Sequence, residues 1–298
     1  MATEQFSTTN VLDTALMSFF AGAGVIDPSY EDTFDFRFDT NVAAIRKAPW
    51  TLDTRLQEWD GKSNLPTSEA DALDPQLMTY TIFGLQVILS PYEEEEIPTL
   101  VQDAYYQIGE GVAETAILTA AAAKAQGFTI PSVHGGKPLF STTHATRSGT
   151  TRANRINSGA DRAAFNAMHA TLETWPSFEG YKRNAAFGGT FLEYNPTAAN
   201  RDLVNQIYRS QFTSGQLQAN VLADEVPVFI KNPYLAEDKF IMGARTPGRR
   251  PFLGWIRKRW QMRPVTGENN EQRKINIHGA LAFSDKGVCD NVVALSVS

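Results

Sequence analysis

The sequence predicts an α+β fold, and three observations support this prediction. A long helical pattern occupies the second quarter of the chain, helices and strands alternate after it, and the last fifty residues read as strands alone. The chain has 298 residues, of which 42% are apolar and 20% charged. These values are typical of a folded protein with a large core, and they exclude disorder, collagen and coiled coil as whole-chain descriptions.

Residues 1–45 are predicted to form an N-terminal arm. Asn10–Phe20 carries apolar residues at helical spacing, with Asn10 as its N-cap. An extended segment follows, in which Phe34, Phe36 and Phe38 alternate with charged residues. We expect neither part to contribute to the core, so the arm needs another surface to lie against.

Residues 46–92 are predicted to form a long β-hairpin. Trp50–Trp59 alternates between two faces, and Leu77–Leu89 is rich in aromatic and β-branched residues. The tip between them, Asp60–Pro75, is polar and contains turn-forming residues. Because an isolated two-stranded ribbon is marginal in water, this hairpin is expected to pack on a further surface.

A helix is predicted over residues 97–126. It follows four glutamates, Glu93–Glu96, which suit the positive end of a helix dipole, and it stops at Gly127. At 1.5 Å per residue it forms a rod of about 45 Å. Gly109 and Gly111 predict close packing or a bend. The glutamate run reads as a solvated helix start rather than a metal site.

The rest of the chain is predicted to contain a mixed block with its own core and then a closing set of strands. The helices are Asp161–Trp175 and Ala198–Tyr208, and the strands are Ala185–Tyr194, Val221–Ile230, Lys239–Met242, Phe252–Arg263, Lys274–Phe283 and Asn291–Val297.

Composition and charge limit the environment and partners of the chain. A single cysteine, Cys289, excludes an internal disulfide framework and a multi-thiolate metal site, and fits a reducing compartment. The N-terminus lacks the basic region of a secretory signal, and the longest apolar stretch, Ala15–Ile26, is too short to cross a bilayer. Residues 1–100 hold 17 acids and 5 bases, whereas the remainder holds 16 acids and 22 bases. Such asymmetry indicates nucleic-acid contact, complementary surfaces between copies of the chain, or solvated faces.

Catalytic motifs are missing from the sequence. Ser141 and His144 suggest a hydrolase, but no Gly-x-Ser-x-Gly elbow surrounds the serine, and a hydrogen-bonded loop histidine is the favoured interpretation. Zinc, dinucleotide, phosphate-loop and EF-hand spacings are likewise missing. We therefore expect a protein that is not an enzyme and that has no cofactor and no metal.

A basic stretch gives the best candidate contact residues. Between Lys239 and Gly267 there are seven further arginines or lysines and no acid. Arg245, Arg249 and Arg250 could bind phosphate or pair with carboxylates of a neighbouring copy, and we favour the second interpretation.

An ordered set of segments resembles a known family. These are Gly136-Lys-Pro-Leu-Phe-Ser-Thr-Thr-His after the long helix, the helix Asp161–Trp175, the stretch Val226–Leu235, Arg250-Pro-Phe, and Gly279-Ala-Leu-Ala-Phe. Together with the order of arm, hairpin, long helix, mixed block and closing strands, they resemble the major capsid protein of tailed bacteriophages, which has the Hong Kong 97-type fold. The likeness is greatest to the Mu-like major head subunit family. His134-Gly-Gly departs from the acidic residue that this family tends to carry before its glycine.

The resemblance implies a division of the chain and a function. The arm is 1–45, the extended loop 46–92, the peripheral domain 93–175 and 251–298 with its spine helix at 97–126, and the axial domain 176–250. It implies self-assembly as hexamers and pentamers into an icosahedral shell that encloses double-stranded DNA without sequence-specific binding and without a membrane. It implies portal and scaffolding proteins as assembly partners, a decoration protein as an optional one, assembly in the bacterial cytoplasm and residence in the virion. An encapsulin-type nanocompartment is the alternative within the same fold.

Inter-subunit contacts are then expected on the hairpin and the basic stretch. The candidate residues are Arg55, Trp59, Arg245, Arg249, Arg250 and Arg257.

Overall fold

A computed structural model gives the architecture of the chain. It describes residues 17–19, 21–22, 28–38, 44–47, 50–51, 71–72, 76–89, 99–131, 136–146, 149–174, 184–209, 222, 226–247, 249–266, 273–284 and 291–298. The helices are α1 (Leu100–Gln126), α2 (Arg162–Thr174) and α3 (Ala198–Tyr208), with a 3-10 helix at Pro28–Thr33. The strands are β1 (Phe34–Phe38), β2 (Ala44–Lys47), β3 (Trp50–Thr51), β4 (Asp71–Ala72), β5 (Gln76–Thr79), β6 (Thr81–Leu89), β7 (His144–Ala145), β8 (Thr151–Arg152), β9 (Arg155–Ser158), β10 (Thr190–Tyr194), β11 (Val228–Lys231), β12 (Lys239–Ala244), β13 (Phe252–Thr266), β14 (Arg273–Ser284) and β15 (Val292–Val297).

A four-stranded sheet supports the long helix. Its strand order is β1-β13-β14-β6, with β1 parallel to β13 and the other pairs antiparallel. Tyr105 and Ile108 of α1 pack with Ile275 and Ile277 of β14 in one buried cluster. The helix is therefore anchored to the sheet through its N-terminal half.

A five-stranded sheet forms the second layer, in the order β11-β10-β12-β15-β9. Helices α2 and α3 pack on it, and Phe165 and Val204 share a core with Val293 and Leu295 of β15. The prediction that the mixed block has a core of its own is therefore wrong, because β15, the last strand of the chain, contributes to that core. Segments of the predicted peripheral and axial domains are interleaved in this sheet.

A third cluster joins the two sheets beneath the C-terminal half of α1. It contains Ala120 of the helix, Phe34 of β1, Phe252 of β13 and Ile241 of β12. Phe34 is fully buried, and its ring centroid lies 5.4 Å from that of Phe252. The expectation that residues 1–45 stay out of the core is therefore wrong at β1, because the strand completes the four-stranded sheet of its own chain.

The long helix starts at Leu100 with Thr99 at its N-cap, three residues after the predicted start, and it spans about 40 Å. Glu93–Glu96 lie outside the described residues. The predicted end at Gly127 is confirmed, since the Gly127 N–H bonds to carbonyls of the last helical turn. Gly109 is buried, but a Cβ on Gly111 would meet nothing within 4 Å, so the predicted close approach is not at Gly111.

Close packing on α1 comes instead from the N-terminal arm. Residues 17–19 and 21–22 are helical, within or just after the predicted helix. A Cβ on Gly22 would lie 2.0 Å from the Tyr106 carbonyl oxygen of α1. Only glycine allows the two backbones to approach so closely.

The hairpin region divides into a ribbon and a sheet strand. β2 pairs with β5 and β3 pairs with β4, both antiparallel, which gives a ribbon that begins at Ala44 rather than at the predicted Trp50. The predicted strand Leu77–Leu89 is interrupted at Tyr80, because β5 stays in the ribbon while β6 pairs with β14. Residues 52–70 lie outside the described residues.

The remaining elements follow the predictions with shifted ends. The predicted bounds of α3 are confirmed. Helix α2 begins one residue later than predicted, at Arg162, and its predicted last residue, Trp175, lies outside the described residues. The strand predicted over Ala185–Tyr194 begins at Thr190, because Gly188 and Gly189 have positive φ angles of 92° and 102° and form a turn. The strand predicted from Val221 begins at Val228.

Candidate assembly surface

Two arginines of the basic stretch contact the N-terminal arm of their own chain. Arg245 Nη2 donates to Asp32 Oδ2 at 3.0 Å, and Arg250 Nη2 lies 3.4 Å from Asp32 Oδ1. Arg250 Nη1 also donates to the Phe34 carbonyl at 3.1 Å. Together these groups hold the start of β1 against the loop between β12 and β13. Part of the charge complementarity predicted between copies is thus satisfied within one chain.

Arg249 lies between these arginines in the same loop and is exposed. Its backbone N–H donates to the Thr246 carbonyl at 2.9 Å, which fixes the loop without using the side chain. Among the described residues, Arg245 and Arg250 contact Asp32, whereas Arg249 does not.

Arg257 is placed at the base of the hairpin. Its guanidinium carbon lies 4.2 Å from the centroid of Tyr80, the residue between β5 and β6. Tyr80 in turn packs edge-on against buried Trp255, with centroids 5.6 Å apart. The cation–π contact ties β13 to the point where the ribbon leaves the sheet. Arg55 and Trp59 lie outside the described residues.

The edge strand β6 exposes an apolar surface. Ile82, Leu85 and Ile88 are 68%, 58% and 51% exposed. Between this strand and α1 lies a cavity of about 540 Å³, whose lining includes Val112 and Trp260. A long edge strand with apolar side chains is an association hazard unless something covers it. This edge strand is therefore the strongest candidate for contact with a second protein surface.

The Ser141 and His144 pair holds a buried loop. Ser141 Oγ accepts the Thr143 N–H at 3.2 Å. His144 Nε2 lies 3.1 Å from both the Leu139 carbonyl oxygen and Asn154 Oδ1, so this nitrogen acts as a donor. These contacts support the predicted hydrogen-bonded loop histidine. Neighbouring Leu139 and Phe140 are fully buried, so this motif packs beneath the end of α1.

A buried polar cluster that the sequence-based predictions did not include lies beneath α1. Lys124 and Glu193 have no exposed side-chain surface, and Lys124 Nζ lies 2.5 Å from Glu193 Oε2. Asn232 Nδ2 donates to Glu193 Oε1 at 2.6 Å. Burial lowers the pKa of the Lys124 amine, and Glu193 partly offsets this effect. Lys124 lies four residues after buried Ala120, on the same apolar face of α1. A lone charged residue on that face was the sequence signal that could have revealed the cluster.

In the described part of the chain, no group of three His, Cys, Asp or Glu side chains could hold a metal ion. Within the same residues, no helix has the length and apolar character needed to span a bilayer.

Comparison with known proteins identifies the fold. No protein-family model and no curated protein matches the sequence. Among solved structures, the virus-like particle from Pyrococcus furiosus matches with a TM-score of 0.57 and 10% identity, covering 94% of this chain and 96% of that one. The capsid of the cyanophage P-SCSP1u matches with a TM-score of 0.57 and 11% identity over 90% and 88%. The procapsid of bacteriophage JBD30 matches with a TM-score of 0.53 and 11% identity over 99% and 76%.

These matches show that the chain has a Hong Kong 97-type fold. The predicted α+β class and its capsid-type architecture are confirmed. The closer resemblance to the Mu-like major head subunit family stays a prediction.

Proposed function

We propose that this chain, with its Hong Kong 97-type fold, is the major capsid protein of a tailed bacteriophage. It assembles as hexamers and pentamers into an icosahedral shell around double-stranded DNA, and it acts as a structural protein rather than an enzyme. Assembly takes place in the bacterial cytoplasm with portal and scaffolding proteins, and a decoration protein is an optional later partner. The observation that carries the proposal is the nearly end-to-end match to a virus-like particle and to a cyanophage capsid.

The two-stranded ribbon supports self-association. Pairs β2–β5 and β3–β4 have no third strand among the described residues. A two-stranded ribbon by itself is marginal in water, because it needs a further surface to cover its faces. A neighbouring subunit would supply that cover, as it would for the apolar edge of β6.

The charge of the chain is compatible with DNA as contents rather than as a tightly bound ligand. The net charge is −6. Because DNA affinity comes mainly from cationic groups that neutralise phosphates, a net-negative shell would enclose DNA without binding it tightly.

Size-exclusion chromatography of the purified chain tests the proposal. We expect capsomers or shells, with closed particles visible by negative-stain electron microscopy. A folded monomer or small oligomer over a wide range of concentration and ionic strength would contradict it, and is the result expected of a soluble hydrolase.

The contents of the particles separate the phage capsid from the encapsulin-type alternative. Particles from the natural source are treated with nuclease, opened and analysed. Protected double-stranded DNA is expected for a phage capsid. A protein cargo without nucleic acid would instead identify a nanocompartment, and would overturn the DNA-enclosing role while leaving the shell role intact.

A further inference from the structure

The cavity between β6 and α1 forms an apolar socket. Its volume is about 540 Å³, and its walls include Phe83 and Leu85 of β6, Val112 of α1 and Trp260 of β13. Leu85 is 58% exposed, so part of this apolar wall faces solvent. An apolar cavity of about 150 Å³ is large enough to hold a benzene molecule. The socket therefore has room for an aromatic side chain and for part of the backbone that carries it.

A second apolar feature projects from the chain at Phe187, in the turn formed by residues 186–189, which we call the knob. Among the described residues, Phe187 is the most exposed aromatic side chain, at 73%. Gly188 and Gly189 have φ angles of 92° and 102°, which glycine adopts without strain. A Cβ on Gly188 would lie 2.3 Å from Thr246 Oγ1, so the turn packs tightly against the loop after β12. The ring is thus presented on a fixed backbone, and binding would cost little ordering of the chain.

A positively charged loop flanks the knob. The Arg245 N–H donates to the Gly189 carbonyl at 3.1 Å, so the loop 245–250 lies directly beside the turn. This loop holds three arginines and no acid, and Arg249 is exposed. The knob therefore presents an aromatic ring next to positive charge.

A negatively charged side of α1 flanks the socket. Gln107 and Gly111 line the cavity. Asp103, Glu110 and Glu114 each lie three or four positions from one of these two residues, and therefore on the same side of the helix. The single base in the sequence of α1 is buried. Opposite charges on the borders of knob and socket would steer the two surfaces together and fix their register.

We propose that Phe187 of one copy inserts into the socket of a neighbouring copy in the same ring of subunits. The inference rests on the proposed shell function and names the surfaces of one of its contacts. Because knob and socket are different surfaces, every copy uses both, and such head-to-tail contacts generate rings when the rotation closes. Burial of one aromatic side chain removes ~150–250 Å² from water, and central aromatic anchors of this kind dominate many interfaces.

Two single variants break the contact from opposite sides. Phe187→Ala removes the ring, whereas Gly111→Leu adds bulk to the socket at a position where a Cβ meets nothing within 4 Å in its own chain. Each is expected to weaken association of the purified full chain at least about 30-fold in sedimentation velocity. The thermal midpoint of unfolding should not fall in either variant, and in Gly111→Leu it should rise, because leucine is the better helix former.

The matched controls change similar positions elsewhere. Ile130→Ala truncates another exposed apolar side chain, which is 46% exposed. Gly159→Leu adds the same side chain at another glycine where a Cβ meets nothing within 4 Å. Both controls are expected to associate as the wild type does.

A mixture of the two single variants tests the head-to-tail geometry. The intact knob of Gly111→Leu enters the intact socket of Phe187→Ala, and neither end of that pair binds a further copy. We therefore expect the equimolar mixture to form dimers and no rings, at concentrations where each variant alone is monomeric. Sedimentation velocity distinguishes monomers, dimers and rings.

Association of Phe187→Ala at the wild-type level, or a mixture that gives no dimers, would overturn the inference. Normal association of Phe187→Ala with a lowered unfolding midpoint of Gly111→Leu would overturn it as well, and would assign the socket to residues 1–16 of the same chain. A wild type that stays monomeric over a wide range of concentration would contradict the proposed shell function and this contact with it. Variants that associate normally beside an assembled wild type would remove the contact alone.

Discussion

Asp32 accepts from two arginines that lie more than two hundred positions later in the chain. All three side chains are partly exposed, and ion pairs of this kind contribute only ~0–1 kcal/mol each. Their value lies in orientation, because Arg250 also bonds the Phe34 carbonyl and so fixes where β1 begins. Arg249 is exposed and makes no contact with Asp32 among the described residues, so it is the better test of contact between copies.

Charge reversal at Arg249 should reduce assembly without unfolding the subunit. We expect Arg249→Glu to lower particle yield, since a loss of only ~1.4 kcal/mol weakens each contact between copies about tenfold in its association constant. Far-ultraviolet circular dichroism should stay unchanged, because the side chain is exposed.

The matched control is Lys137→Glu, which makes the same change in net charge at another exposed position. Normal particle yield from Arg249→Glu, or an equal loss from the control, would remove Arg249 from the assembly surface.

At the scale of elements, β1 is held by burial more than by charge. The ring of Phe34 packs within 4.9 Å of Phe283 and 5.4 Å of Phe252, centroid to centroid. Phe34→Ala should lower the free energy of unfolding by about 3–5 kcal/mol, since it removes a fully buried ring between the two sheets. Urea denaturation of the unassembled subunit measures this change.

The same substitution at Phe187, which is 73% exposed, provides the control and should change stability by no more than about 0.5 kcal/mol. Similarly small changes in the free energy of unfolding from both variants would mean that the N-terminal arm is not part of the core in solution.

The elements differ in how well their sequences predict them. Helices α1, α2 and α3 follow from periodicity and terminal residues, because those signals are local. The break at Tyr80 does not, because β5 and β6 have similar strand compositions and differ in their distant partners, β2 and β14. For the same reason the sequence indicates Arg245 as a contact residue but gives no sign that Asp32 is its partner.

Across the whole molecule, strands distant in sequence complete each other's sheets. The five-stranded sheet takes β9, β10 and β15 from separate parts of the chain, and the four-stranded sheet takes β1 from near the N-terminus. The buried Lys124 arises from this arrangement, since its partner Glu193 lies in β10, far from α1 in the sequence. Asn232, which donates to Glu193, directly follows β11. Against this background the ribbon is exceptional, because its strands join neither large sheet.

Removal of the ribbon tip should therefore leave the subunit folded but prevent closure of the shell. Deletion of Asp60–Pro75 with a short glycine linker removes β4 and the predicted tip but keeps β2, β5 and the pairing of β6 with β14. We expect soluble capsomers with a normal unfolding transition, because neither large sheet is altered. Negative-stain images should show few closed shells, since the ribbon would lose its contact with a neighbouring subunit. Intact shells at the wild-type yield would show that the ribbon is dispensable for assembly, and loss of the unfolding transition would show that it belongs to the fold instead.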